Sequence, residues 1–446
     1  MPEPDRPTLV RAIGRWSLAA LTINCIIGSG IFGLPSQISG SLGKASPIAW
    51  IFAAVATALV MACFAEVSSR FDQTGGVYLY SRTAFGRPTG IAIAWLGWLA
   101  RLTAAAANAN LFVTYFAQFW PSAQEKWSRI IVLTVVLSIL TAVNYVGVRR
   151  GTLQSNLFTA AKLITLGGFI LAALVFVGLK HRSMAIALPA GPFRSWRDAI
   201  LLLVFAYGGY ETALMPGGEA RNPRRDYPFA LFVALIVCTV VYTMTQWVIV
   251  SLLPQSAMTD RPLATAAQFM FGSSGAAILS IGVLVSCYGY LSANVLGFPR
   301  ILFALAEQGD LPAVMGRVHP RFRTPHIAIL VFAVLLYAFS LAGSFQWNLV
   351  ISAVSRLFYY GSVCAALPVL RRKSGIPDAQ FHLPMGDLIA VLAVATSLSL
   401  LLSFPRLDMR SGTVLAVVAL GVLGHSLWAS RYQRTIAATE LPRLNR

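Results

Sequence analysis

Long apolar runs dominate the chain, and short polar connectors separate them. A helix needs about 20 apolar residues to cross a bilayer core, so these runs predict about twelve transmembrane helices. Their approximate limits are 16–40, 46–66, 89–120, 129–148, 155–179, 198–217, 228–253, 275–305, 326–343, 347–370, 386–404 and 412–430. Barrel strands would instead alternate apolar and polar positions over about ten residues. The pattern therefore predicts an all-α polytopic membrane protein.

Composition supports this prediction and excludes several other classes. The 446 residues are 57% hydrophobic and 11% charged, whereas a soluble domain carries about a quarter of charged residues. The same hydrophobicity excludes an intrinsically disordered chain. The formal net charge of +19 resides mostly in short connectors, where it orients the chain in the lipid bilayer, so no nucleic acid partner is expected.

The distribution of Lys and Arg predicts the orientation. Connectors on the side of the N-terminus hold 22 of these residues, and connectors on the other side hold 10. Basic residues favour the cytoplasmic side, so we expect both termini in the cytoplasm and the chain in the cell (inner) membrane. No connector is long enough for a separate domain, and residues 1–446 are expected to form one transmembrane unit.

Candidate metal and catalytic residues are scarce. The five cysteines lie within apolar runs without a CxxC pair, and no histidine lies near a second ligand. We therefore expect no metal and no cofactor. A membrane-embedded transferase would need His, Asp or Cys clusters, and a receptor would normally bring a signalling domain or a long tail, so both are less favoured than transport.

Two of the predicted helices are interrupted near their middle. Residues 28–33 of the first read GSGIFG, and residues 207–211 of the sixth read YGGYE, followed by PGG at 216–218. Glycine weakens a helix because it loses the most backbone entropy on ordering. A single GxG is commonly a helix-packing surface. Two interruptions at matching depth, in helices that run in opposite directions, are typical of inverted-repeat transporters.

Each interruption exposes peptide dipoles. The second half of a broken helix begins with unpaired, partly positive N–H groups, and the first half ends with unpaired, partly negative carbonyls. The first set is expected to hold a carboxylate and the second an ammonium, which together fit a zwitterionic α-amino acid. The predicted substrate-binding residues are Ile27, Gly28, Ser29, Gly30, Ile31, Phe205, Ala206, Tyr207 and Gly208.

Four segments resemble motifs of the amino acid–polyamine–organocation (APC) transporters and occur in the same order. They are GSGIF at 28–32; the loop from Glu66 to Gly86; FAYGGYE at 205–211 with EARNP at 219–223; and RILFALA at 300–306 with GDLP at 309–312 and TP at 324–325. The similarity covers essentially the whole chain.

The resemblance implies a LeuT-like fold with a five-plus-five inverted repeat. Residues 15–180 would form the first repeat, 197–370 the second, and 386–430 two additional helices. It also implies alternating access and amino acid or related amine substrates. By motif match, the Ser29–Gly30 amides would hold the carboxylate, the carbonyls of Ile27 and of 205–207 would hold the amino group, and Phe205 would be an aromatic gate.

Lys162 lies within the fifth predicted helix, where an ionisable side chain costs a few kcal/mol. In many family members a lysine in this motif occupies the ion position of sodium-dependent relatives and is linked to proton coupling or to the conformational cycle. The alternative is a structural lysine bonded to carbonyls of the first helix. In both cases a fixed cation disfavours sodium coupling.

Other polar residues in or near the helices leave alternatives open. Glu211 either carries a proton or caps the broken helix, and Glu66 and Glu219 suit gating or anchoring. Arg101 and Arg356 are expected to pair with carbonyls or an acid. Inter-helix bonds are expected for Asn24, Asn108 and Asn110.

The sequence thus predicts sodium-independent secondary transport of amino acids, by proton symport or exchange. The partners are an amino acid and a proton or counter-substrate. Neutral substrates are slightly favoured because Glu211 is the only acid near the breaks, and a cationic amino acid or polyamine antiporter is the alternative.

Overall fold

The computed structural model is built from helices joined by turns and short connectors, and its described residues include one isolated bridge, between Ile13 and Ala220. These residues are 13–73, 75–146, 151–180, 187–189, 191–215, 220–254, 259–307, 310–402, 412–417, 419–422 and 424–425. The helices are α1 (Arg15–Ile26), α2 (Ser29–Gly33), α3 (Pro35–Leu42), α4 (Ser46–Ser68), α5 (Gly76–Phe85), α6 (Arg87–Phe116), α7 (Lys126–Val146), α8 (Gly151–Leu179), α9 (Phe193–Tyr207), α10 (Pro223–Leu252), α11 (Pro262–Gly297), α12 (Pro299–Glu307), α13 (His326–Ala342), α14 (Phe345–Arg372) and α15 (Gly386–Leu402).

Length and hydropathy make this a multi-pass membrane protein. Within the described residues, eight helical segments are long and apolar enough to cross a bilayer, and α13 and α15 are shorter apolar helices. On α7 the side chains of Ile131, Val135, Ile139 and Val143 recur every four residues and are exposed. An apolar stripe of this kind fits contact with lipid. The count of twelve spans stays a prediction, because much of 412–430 lies outside the described residues.

Several predicted helix limits were wrong. The helix predicted at 198–217 begins at Phe193 and ends at Tyr207. The helix predicted at 275–305 begins at Pro262, contains a kink at Gly272 (φ 69°) and ends at Gly297, after which Pro299 starts α12. Proline lacks the amide hydrogen that would continue the ladder, and glycine tolerates positive φ, so backbone geometry sets these limits.

The broken helices lie at the centre of the bundle. Most of α1, α6 and α14 is buried, whereas only a minority of the residues of α7 and α8 is buried. The α1 helix packs against α8 and α10, and the α9 helix packs against α4 and α14. The breaks are therefore enclosed by α4, α6, α8, α10 and α14.

Ion pairs hold the ends of helices together on the face where α1 begins, which we call the N-terminal face. Glu66 at the end of α4 accepts hydrogen bonds from Arg371 Nη2 at 2.6 Å and from the Leu383 amide at 2.8 Å. Asp310 pairs with Arg87 and accepts a hydrogen bond from the Tyr78 hydroxyl at 3.0 Å. Burial, together with this carboxylate, raises the pKa of Tyr78. Glu66 is thus an anchor, as expected, while Glu219 lies outside the described residues.

Candidate functional site

The first helix is interrupted where the sequence predicts it. The α1 helix ends at Ile26, and Ile27 (φ −70°, ψ 92°) and Gly28 (φ −125°, ψ −151°) are extended. Helical geometry resumes at Ser29, so the amides of Ser29 and Gly30 lie in the first turn of a new helix, where N–H groups have no partner within the helix. Ile27 and Ser29 are completely buried.

The second interruption follows Tyr207, the last residue of α9. Gly208 is extended, Gly209 has a φ of 117°, and a 3₁₀ turn follows at Tyr210–Thr212. A Cβ at Gly209 would lie 2.1 Å from the carbonyl oxygen of Cys25 in α1. Glycine is therefore required here both by the left-handed conformation and by the close approach of another backbone.

The two interruptions touch each other. A Cβ at Gly30 would lie 2.6 Å from the Cβ of Ala206 and 2.7 Å from its Cα. The hydroxyl of Tyr242, in α10, lies 3.1 Å from the Ile26 carbonyl oxygen and 3.2 Å from the Ala206 carbonyl oxygen. The structure thus brings the two predicted substrate-binding segments, 27–31 and 205–208, together in the buried interior of the helix bundle.

Lys162 lies against the carbonyl end of α1. Its ammonium donates to the Ile27 oxygen at 2.6 Å and to the Asn24 oxygen at 3.0 Å, and the side chain is fully buried. It also lies 5.7 Å from the ring centroid of Tyr290. Lys162 therefore makes the carbonyl contacts expected of a structural lysine, whereas its role in coupling stays a prediction. The same contact places a cation of the protein at a carbonyl predicted to hold the substrate ammonium.

Glu211 caps the break in α9, which is one of its two predicted roles. Its Oε2 accepts a hydrogen bond from the Gly209 amide at 2.9 Å. Tyr359 donates to Oε1 at 2.5 Å and Tyr360 donates to Oε2 at 3.2 Å, both from α14. A role for Glu211 as a proton carrier stays a prediction.

Arg101 and Arg356 converge on Glu211, as the expectation of an acidic partner implies. Arg101 Nη2 lies 3.2 Å from Glu211 Oε1, and Arg356 Nε lies 3.9 Å from the same oxygen. Arg356 Nη1 also donates to the carbonyl oxygen of Phe205 at 3.1 Å, and its guanidinium lies 5.4 Å from the ring centroid of Phe205. All three charged residues are exposed by 2% or less.

The meeting of these three charges at the α9 break was not foreseen. Each residue was visible in the sequence as an ionisable group inside an apolar run, and such residues are expected to pair. The packing of α6, α9 and α14 decides which of these residues form pairs. The expected occupant of the Phe205 carbonyl was a substrate ammonium, and the structure places Arg356 there.

The predicted inter-helix asparagines form the expected contacts. Asn24 Nδ2 donates to Ser155 Oγ at 3.2 Å, and Asn110 Nδ2 donates to the Gly343 oxygen at 3.0 Å. Asn108 Nδ2 lies 3.1 Å from Ser29 Oγ, so this asparagine also borders the first break. Sequence reasoning did not place it there.

Comparison with known proteins gives consistent results. A family model described as amino acid permease matches residues 13–424. The serine/threonine exchanger SteT of Bacillus subtilis is 28% identical over 402 residues, covering 87% of this chain and 90% of the relative. The branched-chain amino acid permease BcaP of the same species is 26% identical over 420 residues, covering 89% and 88%.

A solved structure has the same fold. Mhp1, a nucleobase-cation-symport-1 family transporter in a closed conformation, superposes with a TM-score of 0.61 and 17% identity. The match covers 97% of this chain and 96% of that chain. Mhp1 has the LeuT fold, so the predicted fold class is confirmed, although the five-plus-five repeat stays a prediction.

Proposed function

Because the chain belongs to the amino acid permease family, it is a membrane transporter of amino acids rather than an enzyme, and we propose that it works without sodium, as a proton symporter or an exchanger. The observation that carries the assignment of a transport site is the contact of the two breaks at Gly30 and Ala206. Two broken helices that face each other inside a membrane form the usual site of such transporters.

The proposed substrate site lies between residues 27–31 and 205–208. The amides of the first turn of α2, at Ser29 and Gly30, would hold the α-carboxylate. The carbonyl of Tyr207 and those around it would hold the amino group, in competition with the cations already described. Phe205, which is 4% exposed, would be the aromatic gate.

The position of Lys162 supports the proposed sodium independence. Its ammonium lies 2.6 Å from the Ile27 carbonyl oxygen and 3.0 Å from that of Asn24, and carbonyl oxygens are the kind of ligand that a small cation needs. A second cation at that place would meet an uncompensated positive charge in a low dielectric. Movement of a proton to or from Lys162, or of the ammonium itself, would then couple the site to the conformational cycle.

Substrates with a neutral side chain are favoured over cationic ones. Glu211 is the acid that would have to accept a cationic side chain, and Arg101 and Tyr359 already approach its Oε1. A cationic amino acid or polyamine antiporter therefore has less support from the geometry than it had from the sequence.

The proposed arrangement in the cell follows the sequence. We place the chain in the cell membrane with both termini in the cytoplasm, residues 15–180 and 197–370 as inverted repeats, and 386–430 as two additional helices. Each repeat would supply one broken helix, which accounts for the contact of the two breaks.

The test is uptake into proteoliposomes of the purified full chain. Labelled amino acids are offered with and without a pH gradient, with sodium or choline outside, and with or without unlabelled substrate inside. We expect uptake that is equal in sodium and choline, and that is driven either by the pH gradient or by internal substrate. Uptake that requires sodium would refute the coupling, and no uptake of any amino acid above that of empty liposomes would refute the function.

A further inference from the structure

Three basic side chains and one acid surround the two breaks among the described residues. Lys162, Arg101 and Arg356 are exposed by 0%, 2% and 1%, and Glu211 by 0%. Arginine keeps its proton in proteins, so the two arginines and Glu211 carry a net charge of at least +1 before Lys162 is counted. Buried charge without compensation is costly, and a ligand of opposite charge would offset it.

Both carbonyl ends already hold a cation of the protein. Lys162 occupies the oxygen of Ile27 at 2.6 Å, and Arg356 occupies that of Phe205 at 3.1 Å. A zwitterionic substrate brings no net charge and leaves the positive excess unchanged. A substrate with one additional negative charge reduces it by one.

Two guanidinium nitrogens in the cluster donate no hydrogen bond. Arg356 Nε and Arg101 Nη2 are both buried without a hydrogen-bond acceptor, although each lies within 4 Å of Glu211 Oε1. That oxygen accepts its hydrogen bond from Tyr359 instead. A buried charged donor without an acceptor costs more than a neutral one, and a carboxylate is its best acceptor.

The position of the arginines suits the side chain of a substrate. Arg356 lies so close to the α9 break that a Cβ at Gly208 would be 1.6 Å from its Nη1. Arg101 lies two turns, or about 10 Å, along α6 from Asn108, which contacts Ser29 at the other break. Both arginines also lie within 4 Å of Glu211 Oε1 next to the α9 break, so a substrate side chain that extends from the breaks towards Glu211 approaches both of them.

We propose that Arg356 and Arg101 are specificity-determining residues that bind a second carboxylate, so that the preferred substrate is an amino acid with an acidic side chain. This inference rests on the proposed function and extends it, because it ranks acidic side chains above neutral ones. The α-carboxylate stays at the breaks, and the side-chain carboxylate accepts hydrogen bonds from Arg356 Nε and Arg101 Nη2.

The experiment measures uptake of labelled L-glutamate and L-serine by proteoliposomes of the full chain, each in competition with the other. The variants are Arg356→Gln, which removes the charge, and Arg356→Lys, which keeps it. Arg194→Gln is the matched control, because the Arg194 side chain is 75% exposed and lies 3.8 Å from Asp198 near the start of α9. All samples are checked for a single symmetric peak in size-exclusion chromatography.

For the wild-type protein we expect glutamate to inhibit serine uptake at lower concentration than serine inhibits glutamate uptake. Arg356→Gln is expected to lower the ratio of glutamate to serine rates at least about tenfold, the effect of losing one charge-assisted hydrogen bond. Arg356→Lys should lower it less, and Arg194→Gln should leave it unchanged. If Arg356→Gln does not fold, the inference is tested by the ranking of glutamate and serine in the wild-type protein and by the Arg356→Lys variant.

Two results would overturn the inference while leaving the proposed function intact. The first is uptake of serine that glutamate does not inhibit. The second is equal uptake of both amino acids that requires chloride, which would mean that an inorganic anion balances the arginines. Failure of the proposed function has a different signature, because then no amino acid is taken up by any sample.

Discussion

The contact between Gly30 and Ala206 makes a sharp prediction about substrate binding. An added Cβ at Gly30 would lie 2.6 Å from the Ala206 Cβ and 2.7 Å from its Cα, whereas ordinary contacts begin at 3.4 Å. The Gly30→Ala change therefore has to separate the two breaks by about 0.8 Å. Because one of the atoms is backbone, no side-chain rotation relieves the clash.

The expected cost follows from this overlap. Overpacking of a well-packed site costs about 1–3 kcal/mol, which corresponds to a loss of roughly 5- to 150-fold in affinity if it falls on the bound state. The larger Gly30→Val change is expected to abolish binding. The assay is equilibrium binding of a labelled amino acid to the purified protein, with thermal unfolding measured on the same samples.

Gly167→Ala is the control for the loss of a helical glycine. Gly167 lies within α8, and a Cβ there would meet nothing within 4 Å. We expect unchanged affinity and equal or greater stability, because alanine favours a helix over glycine by up to about 1 kcal/mol. The placement of the site is refuted if Gly30→Ala protein is folded and binds substrate as the wild type does.

Three further changes test other parts of the site. Lys162→Ala is expected to alter the pH dependence or the turnover of transport while the protein still reaches the membrane; identical rates across pH would leave this lysine a purely structural role. Tyr242→Phe removes the hydroxyl that contacts both breaks and should lower the stability by about 1 kcal/mol in thermal unfolding. The control Tyr337→Phe removes a hydroxyl that pairs with Thr134 away from the breaks, in a less buried position, and should lower the stability less. Glu211→Gln keeps the shape but leaves two buried arginines without their anion, so a loss of about 3 kcal/mol or more is expected; wild-type melting behaviour would show that the ion pairs contribute little.

The breaks were predictable almost to the residue. The expected interruptions at 28–33 and 207–211 correspond to Ile27–Gly28 and Gly208–Gly209 in the structure. Both can be read from the sequence because glycine acts locally, through the backbone freedom of a single residue. The start of α9 was less predictable, since polar residues such as Arg194 and Arg197 are tolerated near the beginning of a helix.

For the charged side chains, the sequence predicted that each needs a partner but not which residue supplies it. That an arginine inside an apolar run needs a partner follows from the cost of burying a charge. That Arg356 would donate to the Phe205 carbonyl, where a substrate ammonium is expected, depends on how α14 packs against α9.

Local rules thus account for the membrane class, the helical runs and the two breaks, because hydrophobicity and glycine content act over a few consecutive residues. The surroundings of the breaks arise from tertiary packing, which joins α6, α8, α9 and α14 from distant parts of the chain. Lys162, Arg101, Arg356 and Glu211 are buried in a low dielectric, so their positions determine the electrostatic potential at the two breaks. Charge interactions of this kind depend on distance in space, and spacing along the sequence does not encode that distance.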